Sequence, residues 1–163
     1  MSPRTVRLWI AVLGTAFQIT ANDSPLDRRT LRGLTAFNVA VDAPEPELQD
    51  RGLSVVAVQT EVEQRLLKTG LHLDRNANEF LGIRIIAAHG KKTDFAICIV
   101  LAAYQAVSLK RDPTIVSATP TWSAESVLLV PPRQFREAWI ETIHQLVDEF
   151  VTAREAANVV RGK

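Results

Sequence analysis

Apolar and polar positions recur along this chain with two periods, and the changes between them mark its elements. From Leu34 to Asp42, LTAFNVAVD sets Phe37, Val39 and Val41 on one side and Ala36, Asn38 and Ala40 on the other. A period of two predicts a half-buried strand. Ala43-Pro44-Glu45-Pro46 stops it, because neither proline has an N–H to give a ladder. Between Gly52 and Gly70 the period becomes helical, with Val55, Val58, Val62 and Leu66 on one stripe. Ser54 stands where an N-cap belongs and Gly70 where a helix stops. Glu61 and Arg65 are four apart on the wet side, the spacing of an ion pair along one helix. Four valines and Thr60 lower the intrinsic propensity, so this helix depends on docking its stripe. Leu71-His72-Leu73 then reads as a short strand, and Asp74 to Asn78 as a turn.

The period of two returns at Phe80 to Ala88, with Leu81, Ile83, Ile85 and Ala87 facing one way and Gly82, Arg84 and Ile86 the other. His89-Gly90-Lys91-Lys92 is a tight connection whose glycine tolerates positive φ. Phe95 to Leu109, FAICIVLAAYQAVSL, follows without a charge or a proline and pairs back as a hairpin strand. At ~3.3 Å per residue it extends about 50 Å, longer than an ordinary strand, so a bulge or strong bend is expected. Past Arg111-Asp112-Pro113, Ile115 to Val130 is extended again, and Pro120 and Glu125 mark it as an edge strand. Pro131-Pro132 ends the sheet. From Arg133 to about Ala157, Phe135, Trp139, Ile143, Leu146, Val147 and Phe150 form the stripe of a second helix, with His144 beside it facing solvent. The predicted order is β-α-β-β-β-β-α. That is an α+β, two-layer sandwich with a mixed, mostly antiparallel sheet of four or five strands and both helices on one face.

The first residues follow neither period. Arg4 and Arg7 precede an apolar run from Leu8 to Phe17, and small Ala21 precedes polar Asn22-Asp23-Ser24. This is the pattern of a secretory signal peptide over residues 1–21, and the run is about half of the ~20 apolar residues that a spanning helix needs. The alternative is an ordinary first element of the domain. Residues 22–32 read as a flexible leader, 33–158 as a single domain and 159–163 as a tail. The address is the periplasm or the extracellular space, with no stable membrane span after cleavage.

Composition narrows the chemistry. At 163 residues, 47% apolar and 23% charged, the chain can build a core without disulfides or metal. Its formal charge is +1, with no basic block and no aromatic-basic interleaving, which excludes nucleic acid as a partner. The one cysteine, Cys98, has no companion for a disulfide or a zinc site and reads as a small apolar filler. Among His72, His89 and His144, only the first two can meet, if their strands pair, and no ligand set completes them. Hydrolase, metalloprotease and nucleotide-binding motifs are absent from the sequence. Ser117, Ser123 and Ser126 have no histidine placed beside them, and Asp42, Asp74, Asp94 and Asp112 fall at strand ends and turns, where aspartate bonds locally. No cofactor is implied, and the chain reads more as a binding module than an enzyme.

The informative feature is the sheet face turned away from the helices. Small and apolar residues dominate it, including Ile86, Cys98, Val100 and Ala102, with Arg84 and Tyr104 as polar handles. So few charges do not suit a solvated face, so a partner or a second copy is expected there. The candidate partner surface is Arg84, Ile86, Cys98, Val100, Ala102, Tyr104 and Trp122. A second reading makes Arg84, Tyr104 and Trp122 a cleft for a small molecule or cell-wall fragment, or a weak hydrolase site.

The element order also has a likeness. An alternating strand leads to a helix reading Glu61-Val62-Glu63-Gln64-Arg65-Leu66-Leu67-Lys68-Thr69-Gly70, then a short strand and two long ones. A strand with Thr121-Trp122-Ser123 and a last helix with Leu146-Val147-Asp148-Glu149-Phe150 complete it. Over roughly Leu34 to Asn158 this resembles a group of exported bacterial proteins of unknown function. More loosely, it is similar to the small α/β domain of TolB's N-terminal part and of CsgG-like and LpoB-like envelope proteins. The resemblance implies envelope assembly or partner docking rather than catalysis, and it transfers no functional residue.

Overall fold

The computed structural model describes residues 24–89 and 95–159. The expected signal segment 1–21, residues 90–94 with most of the expected His89–Lys92 connection, and residues 160–163 of the expected tail lie outside them. Along the chain run α1 (Pro25–Arg28), β1 (Ala36–Val41), α2 (Pro46–Gln49), α3 (Val55–Lys68), β2 (His72–Leu73), β3 (Phe80–His89), β4 (Phe95–Leu109), β5 (Asp112–Val130) and α4 (Phe135–Asn158). The strands form one sheet in the order β2-β1-β3-β4-β5. β1 runs parallel to both β2 and β3, since the helical crossover through α3 permits a parallel return. The long strands β3, β4 and β5 pair antiparallel. Helices pack on one side only, giving the two-layer α+β sandwich that the pattern predicts.

Local chemistry sets the helix limits. Ser54 Oγ accepts from the Ala57 N–H at 3.2 Å, a cap worth about 1 kcal/mol. Gly70 follows α3 at φ 76°, a backbone state that a side chain resists. The stripe Val58, Val62 and Leu66 on α3 and Phe135, Trp139, Ile143, Leu146, Val147 and Phe150 on α4 are all buried. They meet Phe37 and Val39, Leu81, Ile83 and Ile85, and Phe95, Ile97, Ile99 and Leu101 from the sheet. Phe150 anchors this layer, with its ring 5.5 Å from those of both Phe37 and Trp122. Burying each such side chain is worth about 1.5–3 kcal/mol. The Trp139 indole N–H finds no acceptor among the described residues, a cost of about 1–3 kcal/mol that the surrounding packing offsets.

Several expectations need correction. The segment expected to be a flexible leader forms α1 and a 3-10 turn over Arg29–Leu31, and Leu31 is fully buried. The C-terminal end of α4 holds this segment: Arg32 Nε donates to the Ala157 carbonyl at 3.2 Å, and Asn158 Nδ2 donates to the Leu31 carbonyl at 3.4 Å. Arg65 does not pair with Glu61 along α3. It reaches Asp148 on α4, Nε to Oδ1 at 2.8 Å, and this bond holds its pKa above the ordinary value. Glu61 instead lies 3.1 Å from His144 Nε2, so His144 sits half-buried on the α3–α4 seam rather than facing solvent. Two helices side by side offer partners that spacing along one helix does not reveal. β1 separates the strands of His72 and His89, so these two do not pair across strands.

The expected irregularity in β4 is present as register shifts at Ala103/Tyr104 and Ser108/Leu109. Beyond Tyr104, β4 has lost β3 as a neighbour and pairs with β5 alone. The sheet therefore extends into a two-stranded ribbon, with Ile115 and Val116 exposed.

Candidate partner-docking face

Register decides which side chains share the uncovered face. Arg84 on β3 stands opposite Val100 on β4, which stands opposite Glu125 on β5. Successive residues alternate sides, so the rows on the same face are Gly82–Ala102–Ser123 before it and Ile86–Cys98–Val127 and Ala88–Ala96–Leu129 after it. These rows divide the face into two parts of different chemistry.

The first part is a shallow hollow of about 320 Å³. Its lining includes Ala40, Asp42, Phe80, Gly82, Arg84 and Tyr104. Phe80 and Tyr104 stand opposite each other, with rings stacked at 4.8 Å and 4° between planes. The Tyr104 ring also lies across Gly82, where a Cβ would come within 2.7 Å of Cε2. Glycine is what lets this ring lie down on the sheet. At the rim, Arg84 Nε donates to Asp42 Oδ2 at 2.7 Å, and that bond raises the guanidinium pKa above its ordinary value. Both side chains are largely exposed, so the pair orients Arg84 more than it stabilises the fold.

The second part is apolar. Ile86 is 53% exposed, Val127 46% and Leu129 70%, and Ala88 and Ala96 between them are exposed too. Cys98 lies half-buried at the centre, its thiol pKa pushed up first by burial and then by the Glu125 carboxylate. Large apolar side chains are thus left open to water on β3 and β5, with the small Ala96 and Cys98 between them on β4.

Of the seven residues expected on this face, Arg84, Ile86, Cys98, Val100, Ala102 and Tyr104 occupy it. Ala102 is only 4% exposed and forms floor rather than contact surface. Trp122 is a correction. It shares the parity of Ala124, Ser126 and Val130, faces the helices, and is 1% exposed against Phe150. The extra residue Thr121 at the β4–β5 irregularity separates it from Pro120, which stands opposite Tyr104. Asp42, Phe80, Glu125, Val127 and Leu129 also belong to the face, beyond the seven that the sequence points to. Alternation along 121–130 separates Val127 and Leu129 from Trp122, but only the pairing with β4 tells which set is covered.

No protein-family model and no curated protein matches the sequence. Among solved structures, the chain is similar to a PelC dodecamer from Paraburkholderia phytofirmans at 13% identity and TM-score 0.41, over 87% of this chain and 97% of that one. It is also similar to a minor lipoprotein from Acinetobacter baumannii at 13% identity and TM-score 0.29, over 77% of this chain and 90% of that one. Likenesses this distant assign no function to this chain.

Proposed function

We propose that this chain is an exported, non-catalytic interaction module of the cell envelope, which docks a protein partner on the helix-free face of its sheet. One observation carries the reading: Ile86, Val127 and Leu129 stand exposed in adjacent rows on a face that no helix of the described residues covers. Export rests on the n-region, apolar run and small-residue exit of residues 1–21. Among the described residues no helix is long and apolar enough to cross a membrane, and no three metal-ligating side chains converge.

A photo-cross-linking amino acid at Val127, expressed in the producing cell, tests the reading against the same probe at Val56, which is 73% exposed on α3. The expected outcome is a discrete adduct from position 127 and none from 56. No adduct from 127, or equal labelling from both, overturns the docking reading.

A second reading has its own observation, the 320 Å³ hollow beside Arg84 and Tyr104. An aromatic floor with a donor–acceptor pair at its rim suits a small ligand with one flat apolar side and a polar edge. Trp122, buried on the other face, takes no part.

A further inference from the structure

The charges on the helix-free face complement their own pattern. The row Arg84–Val100–Glu125 sets a cation on β3 and an anion on β5, with an apolar residue between them on β4. At ~4.8 Å between strands, the two charged positions are about 10 Å apart. Glu125 has no ion-pair partner among the described residues, whereas Arg84 already holds Asp42 through Nε. A guanidinium carries five N–H donors, so Arg84 has the capacity for a second carboxylate.

Resting on the docking reading above, we propose that the occupant of this face is a second copy of the chain, stacked sheet on sheet about a two-fold axis running along β4. Such an axis lays β3 of each copy over β5 of the other. Arg84 then meets Glu125 of the second copy, and by symmetry the same contact forms twice. Ile86 lies over Val127 and Ala88 over Leu129, so the apolar rows cover each other. Because Arg84 lines the hollow, the incoming Glu125 enters at its rim. An axis across the strands at this row instead sets Arg84 against Arg84 and Glu125 against Glu125, which like charges oppose. Aligned stacking, with strands within ~30° of each other, is an ordinary geometry for two packed sheets. Three strands by ten residues offer about 480 Å² per copy, so the pair buries about 950 Å², the size of a weak interface whose population depends on concentration.

The axis passes beside Cys98, the only cysteine in the chain, and this provides the test. The purified chain is examined by sedimentation velocity over a range of concentrations and treated with a short bismaleimide at mildly alkaline pH, because burial raises the Cys98 thiol pKa. The expected result is a dimer that cross-links through Cys98 and not in Cys98→Ser. Glu125→Arg, which sets arginine against Arg84, weakens association about tenfold or more while leaving the melting transition in place. A strict monomer, a dimer that does not cross-link through Cys98, or one indifferent to Glu125→Arg overturns the proposal. The Val127 photo-adduct separates the two readings: twice the chain mass supports self-association, and a different mass with a monomeric pure chain overturns it while leaving docking intact. No adduct overturns both.

Discussion

At the scale of single residues, Gly82 meets the tightest steric condition on the face. A methyl group there would stand 2.7 Å from Cε2 and 3.0 Å from Cδ2 of Tyr104, so the ring must leave its place on Phe80. We expect Gly82→Ala to destabilise the chain by about 0.5–1.5 kcal/mol, the value of an aromatic pair beyond its area. In a Tyr104→Ala background the same change should be neutral or stabilising, because glycine weakens a strand interior when nothing lies over it. Urea unfolding of the four-member cycle measures the coupling, and equal cost in both backgrounds would show that the ring contact is not the cause. Gly82, Arg84 and Tyr104 were legible as members of one face from alternation alone. Their contact was not, since it depends on the register Phe80↔Tyr104 and Gly82↔Ala102. The side of Trp122 depends on register too: an aromatic in an edge strand belongs to either face until a partner strand fixes its parity.

At the scale of elements, the long amphipathic pieces announce themselves and the short ones do not. The stripes of α3 and α4 carry many turns of consistent period, so their burial was readable. The segment around α1 buries Leu31 and shows no period, and its arginines conceal that it belongs to the fold. Leu31→Ala should therefore cost about 2–4 kcal/mol, as large-to-small changes in a core do. Leu26→Ala, at 70% exposure, should stay within about 0.5 kcal/mol. Thermal or denaturant melts decide it, and a near-silent Leu31→Ala would return the segment to the status of a leader. The α3–α4 seam illustrates a related limit. Glu61 and Arg65 had the right spacing for each other, yet each found a partner on α4, His144 and Asp148. Helix periodicity says which residues are neighbours along one helix, not which partners a second helix presents.

At the scale of the whole molecule, one face of the sheet builds the core and the other remains open. Val127→Lys and Leu129→Lys replace side chains that bury little within the chain, so unfolding free energy should change by no more than about 0.5 kcal/mol. Association, read by sedimentation, should be lost in both. A large drop in stability without change in association would place these side chains in the core and end the docking reading. By itself the sequence determined the periods, and from them the strands, the two long helices, the two-layer class and most of the open face. Those properties depend on chemistry repeated along one stretch of chain. Tertiary structure alone decided the strand order, which side of β5 Trp122 joins, the partners across the α3–α4 seam and the alignment of Arg84, Val100 and Glu125 in one row. Each of these depends on which residues of distant segments stand opposite each other, and pairing between strands and helices is a property of two segments at once.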